Sequence, residues 1–511
     1  MRCPFVLVLA ALASLAQPVA QPRNILLVNG TVIDGSGAPA RAVSVRIRGE
    51  RIAQVGASLQ AVDGDEVIDV SGLVVVPGFI DVHSHADRGL EEHSNAESQV
   101  MQGITTALVG QDGGSDLPVS DFFERIERLR PAINYATSVG HGTVRSIVMG
   151  ADFKRAASAA EIRTMKALVD RAMRDGAVGL SSGLEYDPGF YAIPEELVEV
   201  ARAAAAHGGF YSSHVRDEEN EVFDAWREAI DVGRKAGMPV QISHIKLASK
   251  RVWGRAAEAL KLLEDAGREG LSVMADWYPY TYWQSSIYVL IPDRDFENRS
   301  KWETGLEEIG GAGNVLITSY RPDPSFDGRT IADVAKSRGT DPVTLIIEMI
   351  RAAGPGIGII GTSMIEADLA RFVAHPQVLI CSDGGLTGRH PRGYGAFPRV
   401  LSRFVREQSL LPLEDAIAKM TSRSAARLGV PDRGLVAAGK YADLAVFDPK
   451  TIVDRGTPQE PSLAPRGMRH VIVNGELVLR DGRLTGARPG RALRKAADAV
   501  ERLDDRGARR G

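Results

Sequence analysis

Cysteine is nearly missing from this chain: 511 residues hold two, Cys3 and Cys381. Loss of an N-terminal leader would leave Cys381 alone, so no intramolecular disulfide can brace the fold. A chain of this length can bury enough apolar surface to do without one. Charge of one sign is also scarce. The net charge of -4 supplies no basic field for a nucleic acid. Long apolar runs are absent too: the longest near the N-terminus covers residues 5–15, short of the roughly 20 residues that cross a bilayer core. No repeat of 20 to 50 residues is present, and no low-complexity linker precedes the C-terminal tail. Aromatic residues at 6% and charged residues at 25% are ordinary globular values.

What is present begins with a leader. Arg2, the apolar run and the small residues of Ser14-Leu15-Ala16 predict a signal peptide over residues 1–20, and hence a periplasmic or secreted protein. Short strand-like runs at 25–28, 43–47, 52–55 and 67–76, separated by Asn29-Gly30 and Gly49, predict a small β-layer over residues 24–77. A matching set returns at 442–447, 470–473 and 477–479, with the hairpin signal Asn474-Gly475. The two sets are expected to combine into one small β-sandwich domain, 429–485 being its second part. Between them, over 78–428, apolar runs alternate with stretches of helical period, the pattern of βα units closing a (β/α)8 TIM-like barrel. In one such helix Val222, Trp226 and Ile230 share a face and Gly237-Met238-Pro239 ends it; Pro194 opens another ahead of Glu195 and Glu196. The charged tail, 486–511, reads as a solvated or frayed helix.

Chemistry concentrates at strand ends. In Pro77-Gly-Phe-Ile-Asp-Val-His-Ser-His85 an apolar strand ends in two histidines that point to one face. Gly209-Phe-Tyr-Ser-Ser-His214 and Pro239-Val-Gln-Ile-Ser-His244 each close on a histidine, and Val378-Leu-Ile-Cys-Ser-Asp383 closes on a carboxylate. In a parallel barrel these ends form one mouth, where a catalytic metal needs its ligands. Any of these histidines alone would read as a core or loop residue; their joint placement predicts a metal site with a general base. His93, His207, His375 and His470 lack that placement and read as structural, while His141 in Gly140-His-Gly142 stands near a strand end as a candidate pocket residue.

The sequence resembles the D-aminoacylase group (N-acyl-D-amino-acid deacylases) of the amidohydrolase superfamily over nearly all of the mature chain. The resemblance rests on the stretch ending in His85, on Gln102-Gly-Ile-Thr-Thr106, Val139-Gly-His-Gly-Thr143, Gly179-Leu-Ser-Ser-Gly183, Ser213-His-Val-Arg216, Gln241-Ile-Ser-His-Ile-Lys246, Asp276-Trp-Tyr-Pro-Tyr280, Ser382-Asp383, His390-Pro-Arg-Gly-Tyr394 and Gly439-Lys-Tyr-Ala-Asp-Leu444. It implies that His83, His85, His214, His244 and Asp383 hold one or two zinc ions. The best-known members add a cysteine, in a stretch similar to Val109-Gly-Gln-Asp-Gly113, where this chain carries Asp112. Glu185, ending the fourth strand in Ser181-Ser-Gly-Leu-Glu185, is preferred over Asp112 as the replacement ligand, on its strand-end place and the suitability of oxygen for zinc. By position Lys246, Tyr280, Ser286 and Arg294 resemble the group that grips a substrate carboxylate.

The implied activity is zinc-dependent hydrolysis of an N-acyl-D-amino acid, with Asp383 as base and then acid. Selectivity for D over L substrates comes from the resemblance alone. A dipeptidase or cyclic-imide hydrolase is the alternative, although such relatives carry a lysine at the fourth strand end and the Glu185 stretch has none. A non-catalytic metal-binding barrel is a third reading. The expected partner is a small N-acyl amino acid, with no nucleic acid and no membrane span in the mature chain.

Overall fold

Eight short segments, buried on both faces, build the centre of the computed structural model, which describes residues 24–495. They are β1 (Phe79–Asp81), β2 (Ile104–Val109), β3 (Asn134–Thr137), β4 (Gly179–Gly183), β5 (Phe210–His214), β6 (Val240–Ile242), β7 (Val273–Trp277) and β8 (Val378–Ile380). Neighbours pair in parallel from β1 to β2 to β3 and from β4 through to β8. The chain after β3 continues as Val139–Gly140, which pairs with β4, so the third strand changes partner at Ser138. The barrel closes above the strand ends: Asp383 N–H donates to the His83 carbonyl at 2.9 Å and His85 N–H to the Gly384 carbonyl at 2.9 Å. Closure therefore runs through the residues the sequence marks for chemistry. The expected leader at 1–20 lies outside the described residues.

Helices cover the barrel as the periodicity predicts. Helix Val222–Ala236 buries Val222, Trp226 and Ile230 and ends at Gly237 in a left-handed conformation. Helix Ala159–Asp175 starts with a capping box between Ser158 and Glu161. Helix Pro194–Ala205 carries its proline in the first turn, but Glu196 is fully buried and holds His141 and Arg145 rather than facing solvent. Among the described residues no helix is long and apolar enough to cross a membrane.

The unbroken βα alternation read from the sequence is corrected between β7 and β8. Strands Tyr282–Ser286 and Val315–Ser319 both pair antiparallel with Gly358–Thr362, so a three-stranded antiparallel sheet with its own helices is inserted there. A short apolar run looks the same whichever direction its partner takes, which is why the pattern misled. The tail is corrected as far as it is described. Residues 486–495 are extended and dock on the barrel, with Tyr135 N–H donating to Arg491 O at 3.0 Å and Leu493 N–H to Tyr135 O at 2.7 Å.

Both ends of the chain share the small domain. Leu444–Phe447 pairs antiparallel with Val74–Pro77 at the centre of a seven-stranded sheet, and a four-stranded sheet around Asn24–Val28 faces it. Ile25, Leu27, Val45, Ile47, Val75, Leu444, Val446 and Ile472 form the core between them. A buried polar knot ties this domain to the barrel: Arg433 pairs with Asp443 and donates to Asn474 Oδ1 (2.9 Å), while Asn474 Nδ2 donates to Asn134 Oδ1 on β3 (2.8 Å). Arg433→Ala strands the Asp443 charge in that knot, at a cost of about 3–5 kcal/mol. A lower unfolding midpoint in guanidinium is expected, against a shift of at most about 1 kcal/mol for Arg41→Ala, whose pair with Asp34 is at the surface.

Candidate metal centre

The strand-end histidines converge. His83 is fully buried, and its Nε2 lies 3.3 Å from Asp112 Oδ1 and 3.6 Å from Asp383 Oδ1. His85 Nε2 lies 3.2 Å from Asp112 Oδ2 and 3.3 Å from Asp383 Oδ1. His244 Nε2 lies 3.4 Å from Asp112 Oδ1 and 3.0 Å from His214 Nδ1. His83, Asp112, His244 and Asp383 thus bring ligand atoms to one point, and His214, Glu218 and His244 bring them to a second, sharing His244. Asp112, His244 and Asp383 all hold left-handed backbone conformations, at φ 54, 33 and 49°, a strain of the kind that gathers at functional sites.

These residues fit a divalent cation. His83 Nε2, Asp112 Oδ1 and Asp383 Oδ1 are buried with no hydrogen-bond partner, although they face one another. The field there favours positive charge. Burial alone would lower the pKa of His83, but the Asp112 and Asp276 carboxylates overcome it and hold the imidazole well above its ordinary value. Burial would likewise raise Asp383, yet the Arg392 guanidinium and the facing imidazoles hold it far below the usual carboxylate range. Asp276 stands behind the centre, 3.4 Å from His83 Nδ1 and accepting the His244 backbone N–H at 2.6 Å. A carboxylate behind a ligand histidine fixes which ring nitrogen faces the metal.

The centre forms the floor of a 520 Å³ cavity at the barrel mouth. His85, Glu185, His214, His244, Lys246, Ser286 and Asp383 line it, as do Asp112, Glu218, Tyr278 and Arg392. Glu185 has another place than the one expected of it. Its Oε2 sits 2.9 Å from His214 Nε2, the ring nitrogen turned away from His244, so it orients that histidine while Asp112 stands among the other three. Tyr280 is corrected: its N–H donates back to Tyr278 O at 3.0 Å in a tight turn, and its hydroxyl donates to the Pro391 carbonyl, leaving Tyr278 at the cavity. Arg294 is corrected as well, because it donates to the carbonyls of Glu185 (2.7 Å) and Tyr288 (3.1 Å) and braces two loops. His141 is buried against Glu196 at 3.0 Å and does not reach the cavity. His93, His207, His375 and His470 lie outside it too.

The sequence reading missed three residues of the site. Arg392 bonds Asp383 Oδ2 at 2.6 Å and lies 4.8 Å over the Tyr278 ring. Glu218 accepts from Lys246 Nζ at 2.6 Å, and the Tyr278 hydroxyl is buried without a partner. Arg392 and Tyr278 stand inside stretches already marked by resemblance, while Glu218, four residues after His214, carried no signal of its own.

The model of the amidohydrolase family matches residues 66–276 and 323–479. The D-aminoacylase of Alcaligenes xylosoxydans xylosoxydans is 37% identical, over 94% of this chain and 100% of its own. The chain belongs to the D-aminoacylase group of the amidohydrolase family. The N-acyl-D-glutamate deacylase of the same organism, another relative in the family, is 37% identical over 93% of this chain and 97% of its own. The crystal structure of the N-acyl-D-glutamate deacylase from Bordetella bronchiseptica, complexed with zinc and a phosphonate inhibitor, superposes with a TM-score of 0.83 at 35% identity, covering 92% of this chain and 99% of that one.

Proposed function

We propose that this protein hydrolyses the amide bond of N-acyl-D-amino acids, using one or two zinc ions and releasing a carboxylic acid and a free D-amino acid. The observation that carries the reading is the convergence of four imidazoles with Asp112 and Asp383 on the floor of a cavity that also holds Lys246, Arg392 and Tyr278. Zinc held there supplies Lewis-acid polarisation of the amide carbonyl and of water.

The chain's own groups do the rest. Asp383 keeps Oδ2 on Arg392 and leaves Oδ1 free, so Oδ1 is the atom that takes a proton from the attacking water. Arg392 keeps that carboxylate ionised and fixes its orientation. Once loaded, Asp383 returns the proton to the departing nitrogen. Lys246 and Arg392 lie 5.7 and 4.8 Å from the centre of the Tyr278 ring, whose hydroxyl is buried without a partner. A substrate carboxylate suits that place. Export is part of the proposal, supported by Arg2 and the apolar run at 5–15.

The test is hydrolysis of paired N-acetyl-D- and N-acetyl-L-amino acids by the purified protein, with metal content measured on the same sample. Release of the D-amino acid alone, abolished by a chelator and restored by zinc, is expected. Turnover of the L series alone, or turnover indifferent to chelation, would overturn the reading.

A further inference from the structure

Arg392 reaches Asp383 from the first residue of a helix, Arg392–Arg399. The amide at that place has no partner within the helix, and Pro391 before it offers no side-chain acceptor. The ring of His390 takes the amide instead: Arg392 N–H donates to Nδ1 at 3.0 Å. The opposite nitrogen, Nε2, lies 2.9 Å from the Tyr282 carbonyl. A carbonyl can only accept, so the proton is on Nε2 and the lone pair is on Nδ1. Burial, and then the Arg392 guanidinium, hold the ring well below its ordinary pKa, which keeps that lone pair free of a second proton.

Packing fixes the plane of the ring. His390 is 3% exposed, and the ring centres of Tyr282, Tyr280 and Tyr278 lie 4.8, 5.5 and 6.1 Å from its own. Other contacts hold the residue that follows Arg392. Gln102 Nε2 donates to the Gly393 carbonyl at 2.8 Å, and a Cβ on Gly384 would come within 2.4 Å of Gly393 Cα. His390 holds the amide of Arg392 itself and ties it to strand Tyr282–Ser286 of the inserted sheet, whose Ser285 and Ser286 line the main cavity. From that anchored start the Arg392 guanidinium meets Asp383 Oδ2 at 2.6 Å. A planar fork of donors meets its targets only if the chain that carries it starts from a fixed place.

We infer that His390 is a positioning residue: its imidazole caps the Arg392 amide and thereby aims the guanidinium at both Asp383 and the substrate carboxylate. The inference rests on the deacylase reading for the second target alone, since the first is a contact within the chain. The ring itself transfers no proton, because both its nitrogens are engaged.

Two variants separate its two bonds. In His390→Asn the side-chain oxygen stands near the place of Nδ1 and can accept the amide two residues on, as asparagine does in turns, while the bond to Tyr282 is lost. In His390→Gln the amide nitrogen reaches the place of Nε2 and keeps the Tyr282 bond, while the Arg392 amide loses its acceptor. Each variant gives up one buried hydrogen bond, so both unfolding midpoints should fall by similar amounts. The kinetics should differ. In zinc-loaded protein kcat/KM for N-acetyl-D-leucine is expected to stay within about threefold in His390→Asn and to fall by at least about tenfold in His390→Gln, the weight of one charge-assisted hydrogen bond. Crystal structures of both variants give a readout independent of turnover: the Arg392–Asp383 bond kept in His390→Asn and displaced in His390→Gln. Equal kcat/KM in the two variants, or an undisturbed Arg392–Asp383 bond in His390→Gln, would overturn the assignment. Should no N-acetyl-D-amino acid be hydrolysed, the deacylase reading fails by itself, and the two crystal structures alone decide whether His390 aims Arg392.

Discussion

Replacing Asp383 with asparagine is expected to lower kcat for an N-acetyl-D-amino acid by about three orders of magnitude, the range a positioned acid and base contributes. Metal content should stay near that of the unsubstituted protein. The asparagine keeps the shape of the side chain and an oxygen that can face His85 and His83, but it has no basic oxygen to accept a proton from water. Three imidazoles and Asp112 remain to hold the cation on that side. The substitution also leaves the buried Arg392 without its charge partner, so a purely structural account predicts something different: a lower unfolding midpoint and a poorer KM, with kcat moved less. Kinetics, metal analysis and thermal unfolding on one preparation separate the two. A kcat within tenfold of the original, at full metal content, would remove Asp383 from proton transfer.

The residues legible in the sequence were those whose place follows from position along a strand. A histidine closing an apolar run at the C-terminal end of a barrel strand faces the mouth whatever the surrounding loops do, and His83, His85, His214, His244 and Asp383 all came out of that rule. The two-part β-domain was legible for a similar reason, since strand runs with turn residues at both chain ends can bury their apolar faces only against each other. Loops escaped the rule. Tyr280 was placed by resemblance to the Tyr-Pro-Tyr stretch, which holds two tyrosines, and the tight turn there, with Tyr280 N–H on Tyr278 O, leaves Tyr278 rather than Tyr280 at the cavity. Arg294 offers a charge but no address, and carbonyls of two other loops claim it. The inserted antiparallel sheet was hidden because strand direction leaves no mark on an apolar run of five residues.

The choice between Asp112 and Glu185 shows the same boundary and leads to the second large effect. Strand-end logic favours Glu185, which follows β4 directly. What turns Asp112 inward is the packing of the loop after β2 on the end of β4. Gly113 takes φ 75°, and a Cβ on it would come within 2.7 Å of the Gly183 backbone, while one on Gly183 would come within 2.2 Å of Asp112 O. Only glycines permit that approach, and it seats the Asp112 carboxylate between His83, His85 and His244. Asp112→Ala is therefore expected to weaken zinc binding by more than roughly 100-fold, beyond what loss of an orienting partner costs. Glu185→Gln should cost about 10-fold, because Glu185 sets the His214 ring from its far nitrogen. Competition with a chromophoric chelator measures both on the same scale, independently of turnover. The reverse order would make Glu185 the ligand and Asp112 the orienting group, and the loop contact at Gly113 would then serve packing alone.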